Sequence, residues 1–127
     1  MATHDIPREE WKGFLEEFTR LHQGSRVTME AVDPHTSPQT EAQALPFVSI
    51  SLEDEEQGED GGSIVLLLEG DGEPKRVSHA IRSPRHLYHK PGAGVISSEV
   101  NPDEILEITA AGEPPITYLH FRHRKPG

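Results

Sequence analysis

The chain reads as an α+β protein, one N-terminal amphipathic helix packed on a mostly antiparallel, strongly twisted meander sheet or partly closed barrel of about seven or eight strands. Three observations predict this. Apolar residues recur at helical spacing between positions 7 and 22, and nowhere later. From position 26 onward the pattern shortens to runs of five to seven residues rich in Val, Ile, Leu and aromatics. Those runs are separated by Gly, Pro, Asn and Asp at intervals too short to hold the crossover helices that parallel strands need.

The helix comes first. Trp11, Phe14, Leu15, Phe18 and Leu21 form one apolar stripe, with Lys12, Glu16, Glu17 and Arg20 on the other side. Pro7 suits the first turn because its missing N–H would be unpaired there, Glu9 and Glu10 complement the positive end of the helix dipole, and Gly24 is a natural stop. The helix is therefore expected over residues 7–22.

The first strand is expected at residues 26–32, with Val27, Met29 and Ala31 on one face. A turn-rich connection follows, extending to about residue 44. Residues 47–52 alternate again, with Val48, Ile50 and Leu52 opposite Phe47, Ser49 and Ser51. Residues 64–68 are continuously apolar, as in a strand covered on both faces. The acidic stretch 53–62 between these two strands reads as a long, mobile hairpin loop. Later strands are expected at 77–81, 86–90, 95–100, 105–110 and 116–122.

Composition bounds the function classes. At 127 residues the chain is expected to be a single domain spanning 1–127. It holds no cysteine, which excludes disulfides, thiolate metal sites and thiol catalysis. No apolar run approaches the roughly 20 residues of a membrane span, and the start lacks a secretory signal pattern, so a cytoplasmic protein with no membrane association is expected. The net charge of −10 is uneven. Residues 1–74 carry 17 acidic against 4 basic side chains, whereas 75–127 carry 5 against 8 and five of the eight histidines. The whole molecule repels nucleic acid at long range, and such asymmetry suits association with a protein partner or a second copy, including a homodimer.

Motifs that carry chemistry are few. No nucleophile elbow and no phosphate-binding loop occurs. The acidic stretch lacks calcium-loop spacing, since the sixth residue from Asp54 is Glu59 rather than Gly. Catalytic residues and a cofactor are accordingly not assigned, and a non-enzymatic role is favoured. The histidines of the C-terminal half are the weak metal candidates. His79, His89 and His120 could meet across strands, with Glu99 or Glu107 as a carboxylate ligand. An interaction patch is read at Arg82, Arg85, His86, Lys90, Arg122 and Arg124. Small-molecule binding by a barrel mouth lined by Trp11, Phe47 or Tyr88 is the alternative to an interaction module, and a histidine-based metal enzyme is a further one.

The residues Ile6-Pro7-Arg8-Glu9-Glu10-Trp11, Phe14-Leu15-Glu16-Glu17-Phe18 and Val27-Thr28-Met29-Glu30, with the ending Tyr118-Leu119-His120-Phe121-Arg122, resemble the bacterial family of small proteins of unknown function DUF5335. The resemblance spans about residues 4–123; the acidic stretch 53–62 and His86 and His89 stand outside its motifs. It implies a bacterial, cytoplasmic, single-domain protein, and it carries over no activity and no site residue.

Overall fold

The computed structural model describes residues 3–33, 35, 37, 39–53, 62–70, 75–90, 104–112 and 114–122. A 3-10 turn at Arg8–Glu10 leads into helix α1, Trp11–His22. The strands are β1 (His4–Asp5), β2 (Arg26–Val32), β3 (Gln39–Glu53), β4 (Ser63–Glu69), β5 (Arg76–Arg82), β6 (Pro84–Lys90), β7 (Glu104–Ala110) and β8 (Ile116–Arg122). They form one open, antiparallel sheet in the order β1-β6-β7-β8-β2-β3-β4-β5. The expected helix and antiparallel sheet are both present, and the sheet is open rather than a closed barrel.

The order is two meanders, β2 to β5 and β6 to β8, joined edge to edge where β2 pairs with β8 along all seven residues. A single residue, Ser83, connects β5 to β6, although these strands lie far apart in the order. So short a link forces the sheet to curl until both meanders meet at that corner. Ser83 adopts a φ of 53°. Its N–H donates to the Gly62 carbonyl beside β4, and its own carbonyl accepts from Ala111 beyond β7.

The other corner is inside β3, which changes partners along its length. Residues Gln39–Pro46 pair with β2 and Phe47–Glu53 with β4. Ala44, with a φ of 51°, sits at the change. Its N–H donates to the Thr28 hydroxyl and its carbonyl accepts from the Arg26 guanidinium. Bends of this kind let one strand serve two sheet sections. They also leave the second half of β3 without β2 as a neighbour, and α1 fills the gap. The Thr19 hydroxyl donates to the Ile50 carbonyl (2.8 Å) and accepts from the Ile50 N–H (3.0 Å), so one side chain satisfies both backbone groups.

The core lies between α1 and the concave side of the sheet. Trp11, Leu15 and Phe18 meet Val27, Ile50, Leu66, Leu106, Leu119 and Phe121. Trp11 Nε1 donates to the Ile6 carbonyl at 2.7 Å, which fixes the chain before the helix. The helix then stops at Gly24, whose φ of 86° favours glycine.

Several expectations need correction. Leu21 is 62% exposed, and His22 takes the place on the buried stripe. The spacing 11, 15, 18, 22 keeps one face toward the core, and position 21 falls about 100° away from 22. The connection after residue 32 is shorter than expected, because β3 begins at Gln39. Its alternation breaks at a bulge between Phe47 and Ser49, so Phe47 and Ile50 are both buried. In β4 only Ile64, Leu66 and Leu68 are fully covered, while Val65 and Leu67 are half-buried on the opposite face. The two-residue strand β1 has no counterpart in the sequence reading. The acidic residues 54–61 and the expected strand at 95–100 lie outside the described residues.

Candidate functional site

The titratable cluster of greatest burial lies where the C-terminus of α1 meets β6 and β7. Position 104 shares the core-facing side of β7 with Leu106 and Ile108, and position 89 pairs with Leu106 across the strands. His22 closes the last turn of the helix above them. Glu104 Oε1 accepts from His22 Nε2 at 2.8 Å, and Oε2 accepts from His89 Nε2 at 2.5 Å. The three side chains are only 6%, 12% and 17% exposed for His22, Glu104 and His89.

Aromatic rings enclose the cluster. Phe18 stacks on His22 with ring centres 3.8 Å apart and planes 9° from parallel. Phe14 and Phe18 present edges to His89, and His4 from β1 stacks on it at 6.4 Å. Burial alone would push the Glu104 carboxyl up. The hydrogen bonds from His22 and then His89, with the charge of the two rings, outweigh it and hold Glu104 well below the usual carboxylate range.

The ring nitrogens of His22 both face acceptors, Nδ1 the Phe18 carbonyl oxygen at 3.0 Å and Nε2 the carboxylate. Both hydrogen bonds are made together when the ring carries two N–H groups, as an imidazolium does. Among the described contacts, Glu104 bonds His22 and His89, and His22 bonds Glu104 and the Phe18 carbonyl. The arrangement is a clamp joining α1, β6 and β7. Among the described residues nothing in contact with it resembles a nucleophile awaiting a base.

The expected metal histidines are dispersed. His89 belongs to this clamp, His120 reaches Glu30 at 2.9 Å on the convex face, and His79 sits on β5 opposite Leu66. Glu107 pairs with Tyr118 and Tyr88, and Glu99 lies outside the described residues. Among the described residues no group of three His, Asp or Glu side chains is arranged to hold a metal ion. The expected mouth residues separate too. Trp11 and Phe47 are buried in the core, and Tyr88 is half-buried on the opposite face, stacked on His86.

The expected interaction patch divides in two. Arg82, Arg85 and His86 are exposed around the Ser83 corner. Lys90 and Arg122 lie at the far ends of β6 and β8, and Arg124 is outside the described residues. The sequence alone does not single out His22 and Glu104 as a site. The one signal for His22 was its position eleven residues after Trp11, on the buried stripe.

On the convex face Tyr118 lies between Glu107 and Glu30 in register. Burial, and then the Glu107 charge, raise its phenol above the ordinary value. Glu107→Gln is expected to bring the Tyr118 titration down toward that of a free phenol, read by ultraviolet absorbance against the Tyr118→Phe variant. An unchanged midpoint would rule out the Glu107 contribution.

Among the described residues no helix is long and apolar enough to cross a membrane. The model of the family of unknown function DUF5335 matches residues 2–125, and the chain belongs to that family. No curated protein and no solved structure matches it.

Proposed function

We propose that this DUF5335 protein is a non-enzymatic interaction module of the bacterial cytoplasm, which engages a protein partner or a second copy of itself by strand addition at β5. The observation that carries this reading is the end of the sheet. β5 pairs with β4 along its full seven residues, and among the described residues no strand lies on its other side. An edge of that length presents a row of backbone donors and acceptors ready to pair. Elsewhere Thr19 of α1 bonds the Ile50 backbone in β3, and the two residues of β1 pair with Tyr88 and His89 of β6. The clamp at Glu104 supports the same reading, because its titratable groups are consumed within the fold.

Hydrogen exchange of the amides at residues 76–82 tests it, measured at low and high protein concentration and with proteins captured from a bacterial lysate. Exchange slowed at this edge by a partner or by a second copy is the expected result. Amides that exchange as fast in every condition would overturn the reading.

A further inference from the structure

We infer that the segment received at β5 is an extended peptide with a carboxylate at each end and alternating small polar and apolar residues between, a deepening that rests on strand addition at this edge. The side chains of β5 set the pattern. Arg76, Ser78, Ala80 and Arg82 are exposed on one face, while Val77, His79 and Ile81 turn to the core side. Arg76 stands opposite Glu69 of β4 and Arg82 opposite Ser63, and neither arginine is within 4 Å of a carboxylate among the described residues. Directly paired residues on neighbouring strands face one another with Cβ atoms about 4.5–5.5 Å apart. A seven-residue strand laid along β5 therefore sets its first and last residues against Arg76 and Arg82. Carboxylates there complete two cross-strand ion pairs.

His79 supplies a second, independent observation. Its Nε2 is buried and has no hydrogen-bond partner among the described residues. Buried polar atoms in native proteins are nearly always paired, and each exception calls for an explanation. The fourth residue of an added strand stands opposite His79 on the core side, where a hydroxyl would supply the missing partner. Positions two and six, opposite Val77 and Ile81, take apolar side chains.

A second copy fits this edge poorly. Antiparallel pairing of two β5 strands in full register sets Arg76 of each against Arg82 of the other, and like charges directly opposite are destabilising. Nucleic acid cannot form the backbone ladder, and the net charge of −10 opposes it.

The probe is the labelled heptapeptide Glu-Val-Ser-Thr-Ser-Val-Glu, which reads the same in both directions and so serves either strand orientation. Binding to the full chain is followed by fluorescence anisotropy, with hydrogen exchange locating the contact. Expected are saturable binding, slowed exchange at residues 76–82, and affinity reduced at least tenfold in the Arg76→Glu/Arg82→Glu variant. Arg76→Gln/Arg82→Gln should show a smaller loss in the same direction, and Lys12→Glu on the exposed side of α1 none. Replacing the central threonine of the peptide by valine should weaken binding severalfold in the native chain and have no effect in His79→Leu. Equal binding of a lysine-ended peptide at the same edge would overturn the acidic partner while leaving strand addition standing. So would an edge protected by a second copy with no peptide bound. No peptide binding and no protected edge under any condition would overturn both.

Discussion

Glu104→Leu is expected to lower stability by about 3–5 kcal/mol, the cost of removing one member of a buried, hydrogen-bonded ion pair. For a chain of this length that corresponds to a Tm lower by about 10–20 °C. The loss comes chiefly from what remains. His22, beneath Phe18 and 6% exposed, would keep its contact with the Phe18 carbonyl and lose the carboxylate that balances its second N–H. Glu104→Gln preserves shape and tests charge. Because the folded Glu104 titrates well below the usual range, its stabilisation is fully present above the unfolded value of about 4.3 and is lost as pH falls through the folded value. The stability gap between the native chain and Glu104→Gln should thus persist at pH 5 and close on further acidification. Urea unfolding followed by the fluorescence of Trp11 measures both effects. Equal midpoints for the native chain and Glu104→Leu at pH 7 would refute the clamp.

Phe121→Ala is expected to cost a similar amount, about 3–5 kcal/mol, by a different route. Phe121 is fully buried at the end of β8, with ring centres 4.7 Å from Phe18, 5.1 Å from Phe47 and 5.6 Å from His22. Its removal leaves a cavity walled by rings that edge-to-face contacts hold in place, and rings so held cannot easily close on the space. Calorimetry on the single variant gives the loss; a value under 1 kcal/mol would show that the neighbours repack. Since Phe121 and Glu104 both touch His22, the double variant should lose less than the two single losses added together.

The helix and most of the strands were legible in the sequence because each rests on local periodicity. The stripe of Trp11, Leu15 and Phe18 needs no knowledge of the sheet, and the runs at 64–68, 77–81 and 116–122 are bounded by their own turn residues. Legibility failed where a distant part of the chain overrides local preference. Gln39–Ala44 contains few good strand formers and extends because β2 lies beside it, while Ala44 tolerates its positive φ because Thr28 and Arg26 bond its backbone. Histidine counts as polar in a hydropathy pattern, so position 22 gave way to Leu21; only a carboxylate 82 positions later makes its burial tolerable. The candidate edge at β5 was equally hidden. Strand order decides which strand is last, and nothing in Arg76–Arg82 distinguishes an edge from a central strand except its two exposed arginines.

The seam between β2 and β8 sets the order of events during synthesis. Val27 pairs with Phe121 and Met29 with Leu119, so the middle of the sheet cannot close until the ribosome has passed residue 122. Until then the β2–β5 meander and α1 lack the Leu106, Ile108, Leu119 and Phe121 side of the core. Closing so long a loop is slow, and topologies dominated by distant pairing fold in milliseconds to seconds. Linking residue 127 back to residue 1 and opening the chain at the Ser83 corner would keep α1 while placing β8 ahead of β2 across a shorter loop, and folding should then be faster.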